Sequence, residues 1–236
     1  MLRTFIFYLF FLPWTLIASF IALFISLFSQ DKTHSFVCFW GRSGLFFAGL
    51  RVQIQGVENI PYDHPAIYVS NHQSNFDIPI IYAGLPVQFR WMAKQELFRV
   101  PFFGLAMKRS GMISIDRSNL RTTMRSIIAA AQRIKEGTSV IIFPEGTRTP
   151  DGKLQEFKKG ALLIAAKAQV PVVPIAIHGS YQIQPKGRWK VNGGPLRIEV
   201  LPPITTAGLK SSDIDTLTRK VHDQIAMSIR GATKNG

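Results

Sequence analysis

A histidine and an aspartate five residues apart are the first residues in this chain whose types and spacing suit catalysis. His72 and Asp77 lie in segment 71–77, Asn-His-Gln-Ser-Asn-Phe-Asp, directly after the strand-like run Ala66–Ser70. An imidazole accepts a proton from a hydroxyl near neutral pH, and a carboxylate on its other ring nitrogen fixes the tautomer. The structural alternative is that Asp77 only caps the next helix and His72 is a turn histidine. For an isolated pair at this spacing the structural alternative is favoured.

A Pro-Glu-Gly turn followed by threonine and arginine is the second candidate, at residues 143–148. The backbone N–H groups of such a turn and the guanidinium of Arg148 can hold a phosphate. Glu145 can bond a glycerol hydroxyl or Arg148 itself. The structural alternative is a tight turn closed by an ion pair. A third segment, residues 111–117, ends in an Asp-Arg pair, which alone says little because surface pairs contribute little energy.

The order of four segments is similar to that of one enzyme family. Residues 71–77, 111–117, 143–148 and 170–175 read Asn-His-Gln-Ser-x-x-Asp, Gly-x-Ile-x-Ile-Asp-Arg, Phe-Pro-Glu-Gly-Thr-Arg and Val-Pro-Val-Val-Pro-Ile. Together they resemble the glycerolipid acyltransferases, especially the bacterial 1-acylglycerol-3-phosphate (lysophosphatidic acid) acyltransferases. The resemblance covers roughly Gly56 to Ile177. Ser114 departs from it, since relatives often carry an aromatic or aliphatic residue there.

The resemblance implies an acyltransferase of phospholipid biosynthesis. It would move a fatty acyl group from an acyl thioester to the sn-2 hydroxyl of 1-acyl-sn-glycerol 3-phosphate, giving phosphatidic acid. His72 would be the general base and Asp77 its partner. The residues expected to bind the acceptor are Arg117, Glu145, Gly146, Thr147 and Arg148. Independently of the resemblance, Lys94, which follows the predicted strand Phe89–Ala93, is a further basic candidate that could attract a lipid phosphate or the phosphate and acidic surface of an acyl carrier.

The expected chemistry needs a base but no enzymic nucleophile. A thioester is already activated, so the difficulty lies in the poor nucleophilicity of the acceptor hydroxyl. The chain has no Gly-x-Ser-x-Gly elbow, and Ser74 is predicted to stabilise a turn. We expect no cofactor, with acyl-coenzyme A or acyl-carrier protein as co-substrate, and no metal, because the other histidines lack ligands at metal-binding spacing. The alternatives are a different lysolipid acceptor, a membrane-bound lipid or thioester hydrolase, or a non-catalytic membrane-binding protein.

Alternating strand-like and helical runs from Arg51 onward predict an α/β fold with a mixed, largely parallel sheet flanked by helices. The predicted strands are Val52–Gln55, Ala66–Ser70, Phe89–Ala93, Met112–Ile115, Ser139–Phe143, Val172–Ile177 and Leu196–Leu201. The predicted helices are Phe76–Ala83, Phe98–Arg109, Asn119–Glu136, Gly160–Ala168 and Ser211–Arg230.

The first fifty residues differ in composition from the rest and contain 11 of the 18 phenylalanines. Residues 4–30 carry no charge, and a helix over Phe5–Phe28 would be about 36 Å long, enough to cross a bilayer. A second apolar stretch, Phe36–Leu50, predicts the other arm of a membrane-embedded helical hairpin. The hairpin would either cross once or lie in one leaflet. We therefore divide the chain into a hairpin, residues 1–50, and an acyltransferase domain, residues 51–236.

Net charge points to an anionic partner. Lys and Arg outnumber Asp and Glu by 28 to 14, which suits a surface of membrane lipids. No nucleic-acid partner is expected, because the aromatic residues lie in apolar segments and are not interleaved with basic ones. Positive charge is heavier after the first helix than before it, which predicts that the domain faces the cytoplasm. The resemblance to the bacterial enzymes implies that the membrane is a bacterial cytoplasmic (inner) membrane. The single Cys38 excludes an intrachain disulfide.

Overall fold

The chain folds around one seven-stranded sheet in the computed structural model, which describes residues 1–116 and 118–234. The strands are β1 (Val52–Gln55), β2 (Ile67–Ser70), β3 (Arg90–Lys94), β4 (Ile113–Ile115), β5 (Val140–Ile142), β6 (Val172–His178) and β7 (Leu196–Val200). Their order is β1-β7-β6-β2-β5-β3-β4. Every neighbouring pair is parallel except β6 and β7, which are antiparallel. The predicted mixed, largely parallel sheet is confirmed.

Helices cover both faces of the sheet, as predicted. They are α1 (Leu2–Ser26), α2 (Gln30–Phe47), α3 (Asp77–Gly84), α4 (Phe103–Arg109), α5 (Leu120–Lys135), α6 (Leu163–Ala168), α7 (Ser180–Ile183) and α8 (Ile214–Lys234). Short 3-10 helices occupy Val57–Asn59, Gln95–Arg99, Lys159–Leu162 and Ser211–Asp213. Alternate side chains of β2 point to opposite faces: Tyr68 packs with α1, α2 and α3, while Ile67 and Val69 pack with α5, α6 and α8. This alternation is the strand period of two.

The helix predicted over Phe98–Arg109 is wrong at its start. Gln95–Arg99 forms a 3-10 helix, and α4 begins only at Phe103. Pro101 separates the two because a proline forces the preceding residue out of the helical region. Val100 is accordingly extended, with φ −68° and ψ 125°.

Helices α1 and α2 form a hairpin that packs beside α3, and each end of this hairpin is hydrogen-bonded to the α/β part of the chain. Helix α2 is tightly packed on two sides. A Cβ on Gly41 would lie 2.9 Å from the Tyr82 Cβ of α3, and one on Gly44 would lie 2.7 Å from the ring of Phe11 in α1. At one end, Asp31 Oδ1 accepts a 2.7 Å hydrogen bond from Arg90 of β3. At the other, the N–H of Val191 donates to the buried Thr4 hydroxyl of α1 over 3.1 Å. α2 is therefore sandwiched between α1 and α3.

The outer face of α1 is apolar and exposed. Within the described chain, α1 is the one helix whose length and composition would allow it to cross a membrane. Its exposed large apolar side chains include Phe5, Leu9, Leu12, Leu16, Phe20 and Phe24. The division at residue 50 stays a prediction, although Phe7 and Leu45 share one hydrophobic core with the sheet residues Tyr68 and Ile175.

Candidate active site

The chain leaves β2 at its carboxyl end through a loop that is fixed by Asn71. The Asn71 side chain accepts from the Ile177 N–H over 2.8 Å and donates to the Ile177 carbonyl over 3.0 Å, replacing a strand-to-strand pairing with β6. Asn71 is fully buried, so water does not compete for these bonds. The backbone of the next residue, His72, is therefore held in a fixed position at the strand ends, where α/β folds usually carry their sites.

Asp77 both holds the loop before α3 and orients His72. Its Oδ2 accepts hydrogen bonds from the backbone N–H groups of Gln73 (2.6 Å) and Ser74 (2.8 Å), and it lies 2.7 Å from His72 Nδ1. Asp77 is the first residue of α3 and is 0% exposed. Both backbone donors precede α3, so Asp77 holds the preceding loop and does not cap its own helix, contrary to the structural alternative. Because a carboxylate accepts, we assign the imidazole proton to Nδ1, which leaves a lone pair on Nε2.

The His72 ring is held flat and leaves one edge open. It stacks on Phe143, with ring centroids 3.9 Å apart and an interplanar angle of 6°. Its side chain is 16% exposed. Among the described residues, none forms a hydrogen bond with Nε2. This nitrogen is the basic atom available to a bound molecule.

Glu145 fastens the second candidate segment to His72. Its Oε1 accepts from the backbone N–H of His72 over 2.7 Å, and its Oε2 accepts from the backbone and side-chain N–H groups of Gln155. The Thr149 N–H donates in turn to the His72 carbonyl over 2.9 Å. Glu145 is only 3% exposed, and this burial raises the pKa of its carboxyl group. The two segments, joined by residues that are 73 positions apart in the chain, form one unit.

The rest of the turn presents cations to the surface. Gly146 adopts φ +73°, a conformation that favours glycine. Arg148 donates to the Asn75 side-chain oxygen. Arg148 is therefore not the partner of Glu145, although the sequence suggested it as one of two. Lys186 Nζ donates to the Thr147 hydroxyl over 3.1 Å and to the Arg148 carbonyl over 3.3 Å. Lys186 was missed in the sequence because it lies outside every motif, and only the fold brings it to the turn.

The other candidates lie in different surroundings. Lys94 is exposed at the end of β3, next to β5 in the sheet, and so lies at the same sheet edge as His72. Arg117 lies outside the described residues. Ser74 is fully buried, donates to the Gln184 carbonyl over 2.8 Å and accepts from the Phe76 N–H, as expected of a turn-stabilising hydroxyl. In the part of the chain that the structure describes, no three His, Cys, Asp or Glu residues are grouped to hold a metal ion.

A histidine oriented by a carboxylate and a cationic turn at the carboxyl edge of a mixed sheet form an arrangement that could activate a bound hydroxyl. The family model described as Acyltransferase matches residues 51–178, which include His72, Asp77 and the turn at Glu145–Arg148. The chain belongs to the Acyltransferase family.

Relatives of known function support this assignment. The chain is 36% identical over 202 residues to the chloroplastic 1-acyl-sn-glycerol-3-phosphate acyltransferase of Arabidopsis thaliana, covering 85% of this chain and 55% of that protein. It is 33% identical over 192 residues to the human alpha enzyme of the same name, covering 81% of this chain and 68% of that one. The chain thus spans little more than half the length of the chloroplast relative.

A solved structure matches almost the whole chain. The crystal structure of the 1-acyl-sn-glycerophosphate acyltransferase PlsC from Thermotoga maritima superposes with a TM-score of 0.80 at 32% identity. The match covers 98% of this chain and 95% of that one. It therefore includes the two N-terminal helices as well as the sheet.

Proposed function

We propose that this protein transfers a fatty acyl group from an acyl thioester to the sn-2 hydroxyl of 1-acyl-sn-glycerol 3-phosphate, forming phosphatidic acid. The observation that carries the proposal is the single unit formed by His72, Asp77 and the cationic turn. It supplies a base for a hydroxyl and a binding site for a phosphate on the same acceptor molecule. The names of the relatives support the same reaction.

The site suits direct transfer between the two substrates. His72 Nε2 takes the proton of the acceptor hydroxyl as its oxygen attacks the thioester carbonyl carbon. The new C–O bond forms, the C–S bond breaks, and the imidazolium returns the proton to the leaving thiolate. Asp77 stabilises the imidazolium and holds the ring, as the carboxylate does in serine hydrolase triads. No acyl-enzyme is needed, and the buried Ser74 is already hydrogen-bonded.

The acceptor would be held by its phosphate. Arg148, the backbone of Gly146 and Thr147, Lys94 and Arg117 are the groups proposed to bind it. Glu145 acts in this proposal mainly as a positioning residue, because both of its oxygens accept hydrogen bonds from His72 and Gln155. Acyl-coenzyme A or acyl-carrier protein would donate the acyl group, and no cofactor would take part.

The proposed location is the cytoplasmic face of a bacterial inner membrane, with membrane lipids as the surrounding partner. Of the two hairpin arrangements left open by the sequence, we favour the monotopic one. Thr4 and Asp31, at opposite ends of the hairpin, are hydrogen-bonded to the α/β part of the chain. A helix pair tied at both ends cannot project across a bilayer while that part remains in water. The exposed apolar face of α1 would therefore lie in one leaflet.

A donor-by-acceptor assay with the full chain in detergent micelles tests the function. We expect lysophosphatidic acid to be acylated faster than lysolipids that lack a free phosphate. His72→Ala should abolish transfer while the protein remains folded, and His64→Ala, at an exposed histidine paired with Asp63, is the matched control. Near-normal transfer by the His72 variant would refute the mechanism. Thioester consumption that does not rise when acceptor is added would favour a hydrolase, and a preference for another lysolipid would redefine the acceptor.

A further inference from the structure

The loop 184–191 connects three parts of the molecule that the sequence keeps far apart. On one side, the Gln184 carbonyl accepts from the Ser74 hydroxyl over 2.8 Å, and Pro185 forms a bridge with Ser74. On the other side, the loop contacts α1: the Gln184 side chain donates to the Tyr8 hydroxyl over 2.8 Å, and the Tyr8 hydroxyl donates to the Trp189 carbonyl over 3.0 Å. Between these attachments lies Lys186.

Lys186 is presented by a defined turn. The N–H of Arg188 donates to the Pro185 carbonyl over 3.1 Å, and Gly187 adopts φ +76° at the third position of this four-residue turn. Such a turn favours glycine there. Because the turn is anchored on both sides, the Lys186 backbone is fixed, and its ammonium group reaches the Thr147 hydroxyl and the Arg148 carbonyl.

Three positive side chains meet at Gly146–Arg148, next to the buried Glu145 carboxylate, whose oxygens are bonded to His72 and Gln155. Lys186 and Arg148 have neutral partners. Lys158 lies over Gly146, where a Cβ would be 2.6 Å from its Nζ. Across the described residues, none of these three side chains forms an ion pair with an acid. Like charges repel, so this arrangement favours binding of an anion.

We propose that Lys186 binds the phosphate of the acceptor together with Arg148 and makes the site selective for a phosphomonoester. The proposal rests on the proposed function. A phosphomonoester carries a charge of about −1.5 to −2 at neutral pH, whereas a phosphodiester head group carries only one negative charge. A third cation therefore favours the free phosphate. Since loop 184–191 is also bound to α1, the membrane helix fixes the position of this cation.

Lys186→Gln tests the proposal, with Lys186→Arg as the conservative variant and Lys190→Gln as the matched control in the same loop. Kinetics are measured in neutral detergent micelles, so that weaker attraction to an anionic membrane cannot imitate the effect. We expect Lys186→Gln to raise KM for lysophosphatidic acid at least about tenfold, the size of a lost charged hydrogen bond. The kcat should stay within about twofold, as for a lost interaction that is equally strong in the ground state and the transition state. Lys186→Arg should restore most of the affinity, and Lys190→Gln should behave as the wild type.

Three results would overturn the proposal. They are an unchanged KM in Lys186→Gln, a fall in kcat at unchanged KM, which would indicate only support of the turn, and an equal effect of Lys190→Gln. Calorimetric binding of lysophosphatidic acid separates this proposal from the reaction itself. If the wild type binds the lipid but does not acylate it, the proposed function fails, and weaker binding by Lys186→Gln still supports the proposal. If wild type and Lys186→Gln bind equally, or neither binds, the proposal on Lys186 is wrong.

Discussion

Replacing Asp77 with asparagine removes one negative charge from the site with almost no change in shape. In the favoured orientation the amide oxygen replaces Oδ2 and keeps the hydrogen bonds from Gln73, Ser74 and His72. The amide NH2 then takes the place of Oδ1, which is buried without a hydrogen-bond partner. A buried, unpaired donor costs about 1–3 kcal/mol. We therefore expect a variant that folds but is less stable by that amount.

The effect on the rate follows from the lost charge. Proton transfer turns His72 into a cation, and Asp77 is the fully buried carboxylate 2.7 Å from its Nδ1. Two opposite charges about 4 Å apart attract by about 4 kcal/mol at an effective dielectric constant of about 20. At about 1.4 kcal/mol per factor of ten, kcat should fall about 10²–10⁴-fold. KM for the acceptor should change little, because the cationic turn is untouched.

Thiol release from the acyl thioester, followed with saturating acceptor, measures kcat, and thermal unfolding confirms the fold. Asp63→Asn is the matched control, since Asp63 is also paired with a neighbouring histidine, His64 at 2.6 Å, but is 84% exposed. It should leave kcat unchanged. A folded Asp77→Asn protein that keeps kcat within about fivefold of the wild type would refute the role given to the carboxylate.

Glu145→Gln should lower both kcat and the melting temperature. The NH2 group of the new side chain would face the two N–H donors of Gln155, and their repulsion would shift the side chain and displace His72, which is bonded to its other end. Unchanged kcat and melting temperature would contradict this positioning role. A second prediction concerns pH and His178, whose pKa is lowered by burial and by Arg197. Below pH ~6.5, the ordinary pKa of histidine, the unfolded chain binds more protons than the folded one, so the free energy of unfolding should decrease as the pH is lowered. His178→Asn should flatten that dependence in melting curves between pH 7 and pH 5; an unchanged slope would refute it.

The strands were predictable because each is a short apolar run bounded by polar or turn residues. β1 was predicted with its observed bounds, and β2 and β7 each differ by one residue at one end. Helix α5 was equally clear, since its apolar stripe recurs at helical spacing and its Asn119 cap bonds the Thr122 N–H. The contact between His72 and Asp77 is also local, since they are five positions apart, but their spacing alone favoured a structural role, and the order of the four segments was needed to single them out.

The contacts that complete the site were not predictable, because they join residues far apart in the chain. Glu145 and His72 are separated by 73 residues, and Lys186 and Thr147 by 39. Periodicity shows which face of an element is buried but not which neighbour covers it. Motif spacing suggested an acceptor hydroxyl or Arg148 as the partner of Glu145. Burial of that carboxylate against His72 and Gln155 is a property of the fold.

The N-terminal helices contribute to the site as well as to the proposed membrane attachment. Phe7 of α1 packs against Phe76, the residue before Asp77, with ring centroids 5.2 Å apart and the rings tilted by 36°. Tyr8 and Thr4 hold loop 184–191, which carries Lys186 to the cationic turn. Burying a large apolar side chain contributes about 1.5–3 kcal/mol, and Phe7 and Leu45 are both almost fully buried in the core that also contains Phe76. Movement of α1 relative to the sheet would therefore displace Asp77 and Lys186 together, so attachment of α1 to a membrane and the geometry of the site are physically coupled.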